Sequence, residues 1–493
     1  MQGIISINRQ IFGVATFVAT LGFMTPLAAQ DAQQVGGEKK RTEVVYVKFV
    51  DLLPTALASD DNVKNARLNV SASSESATAA HSGWYPKVDL TLNSARQQDV
   101  KVNAANDKYN PTEAKVKITQ PLFDFGETSA DVATAKLGVS QAKIALNGAV
   151  NQSIMQAAQA YTGLKRAFAQ YKIAVESELN LKKQTGLQDY RVQRGAAVGT
   201  DVLQAKNALA GATTARVAAQ GALEAAKLTF KSRFGEVPEN IDALLPIQVP
   251  RMLVPESVDA FRAAVLGDGD SMKLASVAFE RAQLTAEKAY ASNFLPEVNF
   301  TWETNYKGDA GGTLGGKTEH IAKVEMTWPV ELFGTQFNSY RAAQIRGESA
   351  GITYAKAKRD LEDRITTTWI GYQNTLQRVS YVANQVEIAR QFARLAQMEV
   401  QQGRGNMMLV VNAQTAVVNA QKDLQNLNTD LAVQIYSMLS QMGALSVGAL
   451  QDADKAEAEA RAKAIEEYKA KVKEAQEAIK KAKEEAEEKP AAN

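Results

Sequence analysis

Catalysis needs a nucleophile, a base or a metal site, and this 493-residue sequence offers little of any. It contains no cysteine. That removes disulfides, thiolate metal sites, cysteine nucleophiles and a lipidated N-terminal cysteine. The two histidines, His81 and His320, stand in unlike surroundings and read as surface residues. There is no glycine-rich phosphate loop and no metal-ligand spacing, so neither an enzyme nor a cofactor is expected. A formal net charge of +2 lacks the basic excess that nucleic acid requires. The polar residues with a specific placing are of another kind. They sit at two tight turns, Arg194-Gly195 with Thr200-Asp201 just beyond, and Gly403-Arg404-Gly405-Asn406. Thr200-Asp201 is expected to cap the helix that follows. The arginines are candidates for tying neighbouring turns together or for binding a partner.

The elements that position these turns recur. Pro121 matches Pro329, Gly126 matches Gly334, Tyr161 matches Trp369, Gly163 matches Gly371, Gly195 matches Gly403, Ala205 matches Ala413 and Gly235 matches Gly443, always 208 residues apart (334 − 126 = 208; 403 − 195 = 208). A constant offset marks a duplicated unit. Within each unit a Pro-x-x-x-Phe-Gly corner opens a proline-free stretch that ends at the tight turn. As one helix it would be roughly 100 Å long at ~1.5 Å per residue. In the first copy Ile154, Ala158, Tyr161, Leu164, Phe168, Tyr171 and Val175 recur at steps of four and three, the pattern of a helix-packing seam.

Before each corner the period changes to two. Val88, Leu90 and Leu92 alternate with Asp89, Thr91 and Asn93, and Val116 and Ile118 alternate with Lys115, Lys117 and Thr119. In the second copy Val298, Phe300 and Trp302 alternate with Asn299, Thr301 and Glu303, and Ala322, Val324, Met326 and Trp328 alternate with Lys323, Glu325 and Thr327. Each pair reads as a hairpin with one apolar and one polar face, the pattern of membrane barrel strands. Trp302 and Trp328 suit an interfacial aromatic girdle. A soluble hairpin lying on a core is the competing reading of either one alone. Helices are expected from Leu52 to about Gly83 and from about Ser257 to Asn293.

The divisions that follow are a signal peptide over 1–29, a leader over 30–51, a first repeat over 52–237, a proline-rich linker over 238–255, a second repeat over 256–443 and a charged Ala/Glu/Lys-rich tail over 444–493. The apolar run Ile11–Met24 is too short for a membrane helix. Any membrane crossing therefore falls to strands. In the tail, Glu and Lys four apart can hold a solvated helix; docking to a periplasmic partner or the cell wall is the sharper reading.

Four amphipathic strands cannot close a barrel, and open sheet edges are not tolerated in lipid. Two chains would give an eight-stranded barrel with a filled interior; three give twelve strands and an open one. The expected fold is an α+β membrane protein, a trimeric 12-stranded β-barrel continued by a long periplasmic α-helical barrel. The chain resembles the TolC family of outer-membrane efflux and secretion channels over about Leu52 to Gly443. The carriers are Trp84-Tyr85-Pro86 and Phe294-Leu295-Pro296, the two Pro-x-x-x-Phe-Gly corners, and the tip Arg194-Gly195 with Thr200-Asp201-Val202-Leu203-Gln204-Ala205. The resemblance implies a homotrimer in outer-membrane lipid, a periplasmic adaptor (membrane fusion) protein and an inner-membrane transporter, ABC or proton-driven. It also implies a constriction six and nine residues after Gly403, at Leu409 and Asn412, where well-known members carry acidic residues. Here an apolar and a neutral ring would replace them. The expected function is the exit duct of a type I secretion or efflux system. A periplasmic coiled-coil structural or adaptor protein is the alternative.

Overall fold

The computed structural model describes residues 46–100, 102, 107–195, 198–247, 253–309, 315–331, 334–402, 404–456, 458, 459 and 466. The expected signal peptide, most of the leader, Gly403 and nearly all of the tail beyond 456 lie outside the described residues. Eight helices organise the described residues, before a further helical stretch over 447–456. α1 (Phe49–Ser59) and α2 (Asp61–His81) precede the first strands. α3 (Glu127–Gln193) and α4 (Gly199–Phe234) follow them. The second copy runs α5 (Val258–Asp268), α6 (Asp270–Phe294), α7 (Thr335–Gln401) and α8 (Met407–Gln441). Both long helices have 67 residues and begin 208 apart (335 − 127 = 208), as do α4 and α8 (407 − 199 = 208). The duplication read from isolated residues is therefore a duplication of whole elements.

Each long helix opens at a glycine in the left-handed region, Gly126 at φ 103° and Gly334 at φ 76°. A side chain there is strained, so the strand-to-helix corner uses glycine in both copies. Asp124 secures the first corner. Its carboxylate accepts from the amides of Gly126 at 3.1 Å and Thr128 at 2.7 Å. Burial works to raise this carboxyl's pKa, but the hydrogen bonds from Thr128 and Gly126 outweigh it and leave it below the usual value. Position 332, its counterpart, is leucine. There the Gln336 side chain accepts from the Glu331 amide at 3.1 Å instead.

The strands are β1 (Lys87–Ser94), a short outer hairpin of β2 (Gln97–Asp99) and β3 (Asp107–Tyr109), β4 (Thr112–Phe123), β5 (Glu297–Gly308) and β6 (Gly316–Thr327). The two hairpins join into one antiparallel sheet of order β1-β4-β5-β6. Its central seam pairs β4 with β5, placing Ile118 opposite Trp302 and Val116 opposite Thr304. The short hairpin β2–β3 lies between β1 and β4 in the chain.

α3 packs against α2 and α4 on one side and α6 and α8 on the other, and α7 lies beyond α6 and α8. The short helices are thus stacked end to end along the long ones. Arg233 at the end of α4 pairs with Asp60 before α2 at 3.3 Å. The single helices expected over Leu52–Gly83 and Ser257–Asn293 are each broken, at Asp60 and at Gly269. Asp60 is extended and caps α2, accepting from the Asn62 amide at 2.8 Å. At Gly269 the backbone of α8 comes close. A Cβ there would lie 2.3 Å from the Val265 carbonyl oxygen and 2.8 Å from that of Gln441.

The core is a belt at mid-height. Ile154, Tyr161 and Leu164 of α3, Phe49 and Leu53 of α1, Phe261 of α5 and Tyr436 of α8 form one buried cluster. The proline-rich segment is drawn into it: Val47 bridges Leu244, the Tyr161 hydroxyl donates to the Leu245 carbonyl at 2.5 Å, and the Lys165 ammonium donates to the Leu244 carbonyl. Burial pushes the Tyr161 hydroxyl up and the Lys165 ammonium down. The first residues of the tail also belong here. Residues 447–456 are helical, Leu445 and Leu450 are buried, and Asp454 pairs with Lys48 at 2.7 Å.

Two outcomes are expected of this geometry. Gly269→Ala loses about 1–3 kcal/mol to overpacking, read as a lower midpoint of thermal unfolding of the purified protein. Asp124→Ala loses about 1 kcal/mol. The lowered Asp124 pKa means that its contribution is present above the unfolded value, about 3.9, and is lost as pH falls through the folded value. The stability difference between wild type and Asp124→Ala accordingly closes below pH ~4.

Candidate functional site

Two regions carry the function that the fold allows, the sheet and the helical tip. The sheet is inside out by the standards of a soluble protein. Pairing places Val88, Leu90, Val116, Ile118, Phe300, Trp302, Val324 and Met326 on one face. That face is open: Leu90 is 67 % exposed and Val324 65 %. The opposite face is polar and concave, with Thr301 1 % and Glu303 9 % exposed. There Lys115 pairs with Glu303 at 3.0 Å, and Lys117 approaches it at 4.0 Å. Water-facing sheets bury the apolar face; lipid reverses the preference. Trp302 lies mid-sheet on the apolar face. Trp328 was expected within the last strand's alternation but lies one residue past β6, where its indole donates to the Phe294 carbonyl at 3.0 Å. It is exposed near the helix end of the sheet together with Phe123 and Phe125, whose rings meet edge to face at 4.5 Å.

No helix among the described residues is long and apolar enough to cross a membrane. The described residues also hold no cluster of groups fit for a metal. His81 ends α2 exposed, and His320 on β6 sits 3.1 Å from the Thr304 hydroxyl.

At the far end, α3, α4, α7 and α8 terminate together. Ala205 of α4, Ala396 and Val400 of α7, and Met407, Val410 and Ala413 of α8 form a second buried cluster. Gly195 turns the chain at φ 73°. Arg194 is exposed and lies over the Tyr190 ring, 4.6 Å from its centroid. Arg404 is exposed, and its amide donates to the Glu399 carbonyl at 2.9 Å. Leu409 is half-buried against the cluster and Asn412 is exposed. The expectation that Thr200-Asp201 caps α4 is corrected. α4 begins at Gly199 with Val198 in the cap position and no side-chain cap, so both residues lie inside the first turn. Asp201 there meets the positive end of the helix dipole. Among the described residues none of Asp201, Arg194 and Arg404 forms an ion pair.

Three more residues join this tip. Asn406 is the cap of α8, its side chain accepting from the Leu409 amide at 2.9 Å. An asparagine directly before an apolar run is a legible cap signal. The Arg191 guanidinium reaches from α3 to the Val400 carbonyl of α7 at 2.9 Å, and the buried Gln188 amide lies 3.7 Å from the Met407 sulfur. Neither contact has a local signal, because each spans more than 200 residues.

Residues 52–236 and 270–444 match the family described as outer membrane efflux protein. The chain belongs to that family. Outer membrane efflux protein BepC of Brucella suis is 25 % identical over 405 residues, covering 81 % of this chain and 86 % of BepC. Among solved structures, the outer-membrane channel OprN superposes with a TM-score of 0.71 at 17 % identity, covering 83 % of this chain and 94 % of OprN. The outer membrane protein VceC of Vibrio cholerae does so with 0.68 at 18 % identity, covering 80 % and 96 %. Membership in the outer membrane efflux family places this chain in the outer membrane with a periplasmic extension, as a channel and not an enzyme. The alternative of a periplasmic coiled-coil adaptor falls with it.

For this efflux-family tip, Asn406→Ala removes the α8 cap at a cost of ~1 kcal/mol. Native-state hydrogen exchange at the Leu409 amide is expected to accelerate about fivefold for that loss, with exchange in the mid-height belt unchanged.

Proposed function

We propose that three copies of this chain form the exit duct of a tripartite export system, joined through a periplasmic adaptor to an inner-membrane transporter. The observation that supports it best is the sheet: its edge strands β1 and β6 each pair on one side only within the chain, and lipid does not tolerate such edges. Three copies close twelve strands around the polar face. The outer flank of α7, with Tyr381, Ile388 and Leu395 exposed, supplies apolar surface for the same closure lower down. Light scattering of detergent-solubilised protein is expected to give a trimer, and a monomer would overturn the proposal.

The tip is the proposed gate. Leu409 would form an apolar ring and Asn412 a neutral one, with Gly195, Thr200, Asp201, Arg194, Gly403 and Arg404 shaping the turns around them. An apolar constriction gates by dewetting. Leu409→Ser and Leu409→Asp should raise single-channel conductance and vancomycin sensitivity; unchanged values of both would reject the Leu409 ring.

The cargo is either secreted protein, passed by type I secretion, or small molecules. Mass spectrometry of culture medium from a deletion strain and its parent separates these. Loss of one or a few large proteins from the medium supports secretion. An unchanged secreted set, with greater sensitivity to drugs and bile salts, supports efflux.

A further inference from the structure

At mid-height α3 has two opposed faces. Ile154, Ala158, Tyr161, Lys165, Phe168 and Lys172, at steps of 4, 3, 4, 3 and 4, meet the equatorial belt. Gly163 and Arg166 lie on the other side, Gly163 about 200° round the helix from Tyr161. The belt contains the proline-rich segment and the start of the tail, and three belts inside a closed tube would block it. The belt is therefore outside and the Arg166 face lines the lumen. On that face α3, α7 and α8 enclose a concavity of about 530 Å³, walled by Arg166, Arg378 and Asp430. Neither arginine has an ion-pair partner among the described residues.

Two more concavities lie toward the tip, the nearer one charge-balanced. A second concavity of about 490 Å³ holds Arg390 and Arg394 with Glu176 and Glu387, and a third of about 290 Å³ holds Lys183. Together these three hollows carry five basic and three acidic residues, a net of +2 per chain (5 − 3 = 2). Arg394 is already engaged with Glu387 at 3.6 Å. From Met407 to Gln421 α8 has no charged residue, so this stretch adds no acidic side chain at the tip.

We infer that the lumen prefers anions, and that Arg166 and Arg378 form the collar that selects solutes bearing carboxylate or phosphate groups. Charges of one sign on a concave wall focus the field and raise the local concentration of the opposite ion. Rings of basic side chains select anions in pores, and guanidinium groups match carboxylate and phosphate oxygens in pairs. The inference rests on the duct proposed above.

The test is a reversal-potential measurement on the full-length protein in planar bilayers under a potassium chloride gradient. Wild type is expected to favour chloride. Arg166→Gln with Arg378→Gln should lower the chloride-to-potassium permeability ratio at least about twofold, and Arg166→Glu with Arg378→Glu should invert the preference. Light scattering and unchanged thermal unfolding confirm that each variant keeps the wild-type assembly. A cation-preferring wild type overturns the inference, as does a reversal potential that the charge-reversal pair leaves unmoved. Wild-type protein that conducts nothing overturns the duct itself, which separates the two failures.

Discussion

The structure depends on where a sheet can leave its unpaired backbone. Four strands with an open apolar face and two free edges are unstable in water, because the face invites aggregation and the edges invite pairing. In lipid the face is satisfied at once, but the edges become intolerable until they meet other edges. The polar groups that a soluble protein would turn outward, Glu303 and Thr301 among them, are turned into the curve. Each strand pair feeds into a 67-residue helix through a glycine corner.

Long helices alone do not make a wall, because a 100 Å helix has neighbours to satisfy along its whole length. The chain solves this with composite helices. α4 rises from the tip to mid-height and α2 continues from there, joined by the Asp60–Arg233 contact; α8 and α6 meet at Gly269 in the same way. The joints are where helical hydrogen bonding is interrupted, so both fall within the belt, where other elements supply partners. This explains why the proline-rich segment and the residues just past the second repeat are folded core. They cover the joints, and Tyr161 and Lys165 hold them by donating to carbonyls that have no helix of their own.

The tip is built differently. Its cluster is small and rich in alanine, Met407 and two valines being its larger members. Such a cluster holds helix ends together with fewer and smaller buried side chains than the belt. One long-range arginine bond, Arg191 to the Val400 carbonyl, crosses the tip, whereas many buried side chains tie the belt.

Much of this was written in local pattern. The 208-residue offset, the strand alternation, the two Pro-x-x-x-Phe-Gly corners and the helix lengths all follow from periodicity and from glycine's freedom at positive φ, which depend only on near neighbours in the chain. The helix breaks at Asp60 and Gly269 were not legible, because Gly269 is required by the Gln441 carbonyl of α8 and Asp60 is held by Arg233, each more than 170 residues away. Thr200-Asp201 looked like a cap by type and spacing, yet α4 begins at Gly199 with Val198 in the cap position, and Asn406 caps the other tip. Arg191 carried no signal at all until α3 and α7 were brought together. Sequence alone determined the units and their polarity, since those are matters of period and local backbone preference. Tertiary structure decided where the units interrupt, join and touch, since those depend on which distant backbone atoms are left needing a partner.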